Sequence, residues 1–499
     1  MGESERQHLV AWTKAMQRIG KGTGKYAADH REQARKHMEE CRSAIPVWIM
    51  PIYRVAEIVR PGTDLFDVVI VDEASQSGAE ALFLCYLARK MVVVGDDKQI
   101  SPDNIGIRRE DVEHLRQQYL QKIPHSDAFG ADHSFFDLAD IRYGGRIRLQ
   151  EHFRCMPEII QFSNNLCYSS EPLIPLRQYG MERLTPVVGT CHIPNGYQKG
   201  ESPKTINPPE ADAIVEHIAT CCKDPKYKGK TMGVVSLLGE EQARLIERKL
   251  LERLEPEEIE ARNLICGDAY AFQGDERDVI LLSLVSAPTP GRRIGTLASE
   301  KDKRRFNVAV SRAKDQLWLF HTATLNDLSK ECLRYKLLEY CKNPNVKSSS
   351  VAGIDIEQLR IKSQTVDRDS FKPPFPFESW FEVDVFCEIA QKGYRVIPQI
   401  EVAGYRIDLV VEGMQGRLAV ECDGDYWHGR EQYEHDMGRQ RILERCGWSF
   451  FRVLGSNFYR NQKESLLDLW SKLGRFGIHP TTVKNENYAV EEEVVKKLN

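Results

Sequence analysis

Four short, uninterrupted apolar runs set the strongest limit on how this chain can fold: "FDVVIVDE" (66–73), "MVVVGDD" (91–97), "MGVVSLL" (232–238) and "DVILLSLV" (278–285). Each has the length of a strand, and none alternates apolar with polar residues as a strand with one wet face would. Strands that are apolar on both sides belong to parallel sheets layered between helices. The segments between these runs read as helices, so the expected class is α/β. "NPPEADAIVEHIAT" marks one helix start, with Asn207 as N-cap, Pro208 at the first helical position and Glu210 three residues after the cap.

A chain of 499 residues is too long for one core and is expected to form roughly three domains. The expected divisions are 1–145, 146–342, a polar linker at 343–374, a compact domain at 375–480 and an acidic tail at 481–499. With 41% hydrophobic and 28% charged residues, disorder is not expected to dominate. A net charge of −4 excludes a uniformly basic coat, so a polyanion must meet local stretches such as "RYGGRIRLQEHFR" and "GRRIGTLASEKDKRR". The thirteen cysteines include no C-x-x-C pair, which fits a reduced, cytoplasmic protein without a zinc site. No apolar stretch reaches the roughly eighteen residues of a membrane span, so none is expected.

Acidic residues at the ends of the runs carry the first chemistry. Asp72 and Glu73 close the first run, at the carboxyl end where open α/β sheets place ligands. In a nucleoside triphosphatase the Asp holds Mg²⁺ and the Glu orients the attacking water. The second run ends in Gly95-Asp96, with Gln99 beyond it as a group suited to sensing a γ-phosphate.

These segments resemble a known family. "DEASQ" and "GDDKQISP" are similar to motifs II and III of superfamily 1 helicases, of the group that includes RNA-surveillance and 5′-to-3′ translocating enzymes. "LQEHFRCMPEIIQFSN" resembles motif IV, "AYAFQGDERDVILLSLV" motif V and "RRFNVAVSRAK" motif VI, in the family's order over about residues 10 to 340. The resemblance implies two RecA-like parallel-sheet domains. It also implies ATP contacts from Asp72, Gln99, Arg154, Gln273, Gly274 and Glu276, catalysis by Glu73, and Arg312 as an arginine finger.

Motif I is missing from this pattern. "IGKGTGKYAADH" has Ile19 where the first glycine of G-x-x-x-x-G-K-[ST] belongs and Tyr26 where the hydroxyl belongs, and a helix pattern, not a strand, leads into it. "YKGKTMGVVSLL" has Asp224 in place of the first glycine, and its strand follows the loop. A phosphate cradle needs the loop to open a helix. The first RecA-like domain is therefore expected to be incomplete, with the P-loop in a missing segment or a partner chain.

"GYRIDLVVEGMQGRLAVECDGDYWHG" carries a second chemistry. Glu421 and Asp423 share one strand face, and a symmetric hairpin centred between Met414 and Gln415 sets Asp408 opposite Glu421, with Cβ atoms about 4.5–5.5 Å apart. Opposed carboxylates repel unless a cation lies between them, and hard oxygen donors suit Mg²⁺ or Mn²⁺. The flanking pattern runs helix 377–392, strands near 395–400, 405–411 and 417–423, helix 431–446 and strand 448–453.

Over about residues 375 to 465 this pattern resembles the PD-(D/E)XK nuclease fold, nearest the very-short-patch repair endonucleases. The resemblance makes Glu382 the helix-borne acid and a metal ligand beside Asp408 and Glu421. Asp423 stands where the fold's lysine belongs, and His428 is the substitute proton acceptor. The implied activity is that of a helicase or translocase joined to a metal-dependent endonuclease acting on DNA, with RNA left open, in bacterial genome or anti-phage defence. A non-hydrolysing scaffold and a split-enzyme subunit are the alternatives.

Overall fold

The apolar runs at 66–73 and 91–97 lie side by side, and those at 232–238 and 278–285 pair in a larger sheet. The computed structural model describes residues 2–480 apart from 20–22, 60, 61, 64, 101–108, 131, 132, 178, 181, 182, 202, 203, 290, 292, 345–355, 369, 403, 404, 414, 425–439, 442, 445 and 446. The chain divides into two units, residues 1–147 and 148–499.

In the first unit, helices α1 (Glu3–Ile19) and α2 (Ala27–Cys41) pack together, and the Cys41 thiol donates to the Glu5 carbonyl at 3.3 Å. Strands β1 (Phe66–Val71) and β2 (Ala88–Val93) are parallel, with Ile70 opposite Val92. One side of this pair packs on Ala81, Leu84 and Phe135. On the other side Val68, Ile70, Val92 and Val94 are exposed by 46%, 67%, 47% and 41%. Helices α3 (Ile52–Ile58), α4 (Arg109–Tyr119) and α5 (Phe135–Tyr143) complete the unit, and a reciprocal Ser134–Asp137 capping box starts α5.

The second unit holds a five-stranded, wholly parallel sheet. Its strands are β5 (Val188–His192), β6 (Met232–Ser236), β7 (Ile265–Asp268), β8 (Arg277–Ser283) and β9 (Ala313–His321), in the order β5-β9-β8-β6-β7. A short pair, β3 (Glu151–His152) and β4 (Ile174–Pro175), lies outside it. Helices α7 (Pro208–Lys223) and α8 (Glu240–Arg253) cover one face through Ile214, Ile218, Ile246 and Leu250. Helices α6 (Pro157–Leu166) and α10 (Glu300–Ser311) are joined by Cys155 and Asn307, whose amide donates to the Tyr168 hydroxyl at 3.1 Å. Helices α9 (Pro256–Ala261) and α11 (Leu333–Lys342) complete this part. Asn207 caps α7 as the sequence implies, accepting the Glu210 N–H at 3.2 Å.

The stretch read as a linker, 343–374, contains a helix. Residues 356–365 form helix α12 (Ile356–Thr365), whose Leu359 enters the C-terminal core, and Ser363 and Arg368 both bind Asp384. Helix α13 (Trp380–Gln391) packs on a sheet of β10 (Arg395–Val402), β11 (Tyr405–Glu412), β12 (Arg417–Asp423) and β13 (Phe450–Leu454). The sheet order is β10-β11-β12-β13, antiparallel except for the parallel β12–β13 pair. Three short helices at Gly455–Arg460, Gln462–Ser465 and Leu467–Arg475 close the domain. Among the described residues no helix is long and apolar enough to cross a membrane.

Candidate functional site

The first unit presents the acids that follow β1. Asp72 turns back to accept the Glu73 N–H at 2.9 Å, and Glu73 takes a left-handed backbone with φ 51°. Gln76 then donates to the Glu73 carboxylate at 3.1 Å. The loop after β2 runs close beside this turn: Ala74 N–H donates to the Val94 carbonyl at 2.8 Å. A side chain on Gly95 would come within 2.7 Å of the Phe136 ring and 3.1 Å of Ser75 N, so only glycine lets the two loops approach. Gln99 donates to Asp96 at 3.1 Å. Of "GKGTGK", residues 20–22 lie outside the described residues and Gly24 accepts the Ala27 N–H at the start of α2, while Lys230-Thr231 of the other glycine-lysine loop bind Asp315 and Asp278.

In the second unit, residues far apart in sequence converge. Arg154 Nε donates to Glu276 at 2.6 Å, across 122 positions. Gly274 takes φ 77° in the turn just before Glu276, and Gln273 N–H donates to the Tyr270 carbonyl at 3.1 Å. Arg312, at the end of α10, is nearly wholly buried. Its guanidinium donates to the Asp275 carbonyl at 3.4 Å and the Ser311 hydroxyl at 3.3 Å, beside the Glu276 turn.

Two residues to which the sequence assigns no role join this group. Arg177 donates to the Arg154 carbonyl and to Asp315. His152 accepts the Cys155 N–H at 3.0 Å. Burial, followed by the charges of Arg154, Arg312 and Arg177, holds His152 down at about 4, and therefore neutral. Three arginines thus bear on one neutral histidine, with Glu276 and Asp315 as their counter-charges.

In the C-terminal domain, β11 and β12 pair Leu409 with Val420, a register that continues to set Asp408 opposite Glu421. Asp408 accepts the Cys422 N–H at 2.8 Å, and Glu421 is buried. Burial, then the charges of Asp408, Glu382, Glu421 and Asp423, pushes the Cys422 thiol well above its usual value.

They are not equally available there. The Glu382 carboxylate accepts from the Ser379 hydroxyl at 2.8 Å, the Glu378 N–H at 3.1 Å and the Gln399 amide at 2.8 Å, so it acts first as the cap of α13. Asp423 is held by Arg452 of β13 through bonds of 2.8 and 2.9 Å. His428 lies outside the described residues. Among the described residues no three His, Cys, Asp or Glu side chains stand in metal-holding geometry. Asp408 and Glu421 are hard donors suited to Mg²⁺ or Mn²⁺, but they need further oxygens to complete a shell.

Residues 132–324 match the AAA_12 family, an AAA domain, and residues 381–473 match the REase_MTES_1575 family. The C-terminal domain is thus of restriction-endonuclease type. The chain is 29% identical over 321 residues to an uncharacterized ATP-dependent helicase, MG140, of Mycoplasma genitalium, covering 61% of this chain and 28% of that protein. To the MG140 homolog of Mycoplasma pneumoniae it is 27% identical over 431 residues, covering 82% of this chain and 37% of that one. The mouse 5′-3′ DNA helicase ZGRF1 is 24% identical over 284 residues, covering 56% of this chain and 14% of the relative.

The chain spans about a third of the length of the mycoplasma relatives. The 82% coverage exceeds what residues 1–374 contain, so that alignment enters the nuclease-type domain. The AAA match takes in the Arg154–Glu276–Arg312 cluster, whereas Asp72 and Glu73 precede it. Arg177 escaped sequence reading because it lies in a segment with no periodicity, and His152 because nothing in "QEHFR" separates a buried neutral histidine from an exposed one.

Proposed function

We propose that the chain is the helicase-nuclease part of a DNA-processing enzyme of bacterial genome or anti-phage defence. Its C-terminal domain cleaves phosphodiesters with Mg²⁺ or Mn²⁺. The observation that supports this reading is the β11–β12 hairpin, paired from Glu412–Arg417 to Leu409–Val420, which brings the next residues, Asp408 and Glu421, to the same end of the two strands in a domain of restriction-endonuclease type. A dication held there would polarise the scissile phosphate and make water a better nucleophile. Asp408 and Glu421 supply hard oxygens for it, and Glu382 and Asp423 add negative field.

Asp72, Glu73 and Gln99, with Arg154, Gln273, Gly274, Glu276 and Arg312, serve ATP hydrolysis, which requires a P-loop from outside these residues. The uncovered apolar side of β1–β2 supports this, because it is what a parallel sheet leaves when a covering layer is not in place. A split-enzyme subunit whose partner chain carries the P-loop is the second reading, and the same face supports it. A scaffold that never hydrolyses ATP has no use for the arginine cluster. RNA substrates and a cytoplasmic location are outcomes to be measured.

The deciding experiment is cleavage of supercoiled DNA by the whole chain. Activity is expected with Mg²⁺ or Mn²⁺, is removed by EDTA, and is lost in Asp408→Ala and Glu421→Ala. Cleavage that survives both chelation and Glu421→Ala overturns the nuclease assignment. Nucleic-acid-stimulated ATP turnover by the chain alone overturns the requirement for an external P-loop.

A further inference from the structure

We propose that the side-chain carbonyl of Gln399 is an oxygen ligand, direct or through water, for the divalent cation of the nuclease centre, and that Glu382 is the residue that orients it. The proposal rests on the nuclease reading of Asp408 and Glu421.

Three observations carry it. The first is backbone geometry: Gln399 has φ 52° in the middle of β10, a conformation strained for any residue but glycine. Around it β10 pairs Pro398 with Leu409 and Ile400 with Ile407, so Gln399 occupies the position facing Asp408. The strain has a structural effect. In a regular strand Val396, Ile400 and Val402 would share a face. Here Val396 packs with Leu409 and Val411 in one core, while Ile400 and Val402 pack with Ile407 and Val410 in the other. The sheet exchanges its faces at the Gln399–Asp408 position.

The second is the direction of the amide. Gln399 Nε2 donates to Glu382 Oε2 at 2.8 Å. With the nitrogen on Glu382, the carbonyl oxygen faces away from that carboxylate.

The third is what that oxygen lacks. Gln399 Oε1 is buried and has no hydrogen-bond partner among the described residues. A buried acceptor without a partner costs about 1–3 kcal/mol. If Gln399 served only to satisfy Glu382, a side chain without the spare acceptor would do so at lower cost. At the position facing Asp408 and bonded to Glu382, an unpaired carbonyl oxygen is suited to a hard cation or to water bound by one.

Gln399 thereby takes the ligand role that the resemblance gave to Glu382. Glu382 spends its lone pairs on the α13 cap and on the amide, and Gln399 presents the outward oxygen. Asp408, Glu421 and Gln399 then form an all-oxygen set.

The test is Mn²⁺ binding by the whole chain, followed by the electron paramagnetic resonance signal of free Mn²⁺, with thermal melting in parallel. The parent, Asp408→Ala, Gln399→Leu and Gln399→Gly are compared. Gln399→Gly relieves the φ strain and removes the oxygen, so it separates a backbone role from a side-chain role even if Gln399→Leu fails to fold. The expected result is Mn²⁺ binding that depends on Asp408 and is weakened about 10-fold or more in both Gln399 variants. In cleavage assays these variants should need correspondingly more Mg²⁺.

Parent-like Mn²⁺ affinity in Gln399→Gly overturns the role of the carbonyl while leaving the nuclease reading standing. A parent that binds no Mn²⁺ through Asp408 overturns both.

Discussion

The chain holds two parallel sheets whose strands read alike in sequence and fare differently in structure. In β6 every residue is buried, and in β8 all but Asp278. In β1 and β2 the same kind of apolar run leaves Val68, Ile70, Val92 and Val94 open. The pattern encodes what a strand expects on both faces, not what the surrounding chain provides. In the five-stranded sheet α7 and α8 supply the layer on one side, with β9 and β6 flanking β8. The β1–β2 pair has helices against one side and no described layer over the other.

The largest test of this difference is one truncation made twice. Ile280→Ala, in the middle of β8, removes a fully buried side chain and should cost about 2–5 kcal/mol. Ile70→Ala removes the same atoms from an exposed position and should cost no more than about 0.5 kcal/mol. Hydrogen exchange read by mass spectrometry, strand by strand during denaturation, measures each separately. Equal losses would mean that the Ile70 face is covered in solution.

A second test concerns the acids at the strand ends. Glu210 is wholly buried where β8 and β9 end, and accepts from the Ser283 hydroxyl at 2.8 Å, Val285 N–H at 2.8 Å, Thr322 N–H at 3.0 Å and the Asn207 amide at 3.1 Å. Burial pushes it up to about 7, against the pull of those donors. A folded-state value above the ordinary carboxylate range stabilises fully at low pH, and that contribution is lost as pH rises through about 7. The effect is worth up to about 3 kcal/mol. Unit 148–499 should therefore melt lower at about pH 8 than at about pH 5.5. Glu210→Gln should cost about 2–3 kcal/mol at low pH and flatten that slope. An unchanged slope in the variant would assign the pH dependence to another group.

How far sequence reaches follows from the same contrast. The runs that became β6 and β8 were legible because continuous burial leaves a continuous apolar string. Strand β9 was not, because "AKDQLWLFH" carries Asp315 and Gln316 inside it. Both are paired: Asp315 with Arg177 and Lys230, and Gln316 with Tyr227 and Pro186. A buried polar residue with its partners made looks in sequence like a loop residue.

The Asp408–Glu421 register was legible because a hairpin turn fixes it. The capping of Glu382 had a local signal, the S-x-x-E spacing of Ser379 and Glu382, whereas the inversion at Gln399 had none, because its amide contact joins β10 to α13 across seventeen positions. Helix α12 was lost in a polar stretch whose buried residues are only Leu359 and Ser363.

The smallest effect, at Glu73, separates stability from chemistry. Its left-handed backbone, with φ 51°, costs a non-glycine residue about 1–2 kcal/mol, while the Gln76 bond returns about 0.5–1 kcal/mol. Glu73→Gly relieves the first and loses the second, so it should leave the first unit as stable as the parent or up to about 1 kcal/mol more stable. Glu73→Ala keeps the strain and loses the bond, and should melt below the parent by about 0.5–1 kcal/mol. The order Gly, Glu, Ala in thermal melts is therefore the expected signature. A glycine variant that melts lowest would show that the turn is held by the side chain and not strained by it. If the order holds, the chain keeps a carboxylate at this strand end at a cost in stability, which fits the role proposed for it toward water in ATP hydrolysis. No buried residue of the five-stranded sheet should behave this way, because there each side chain contributes to the packing that its removal would undo.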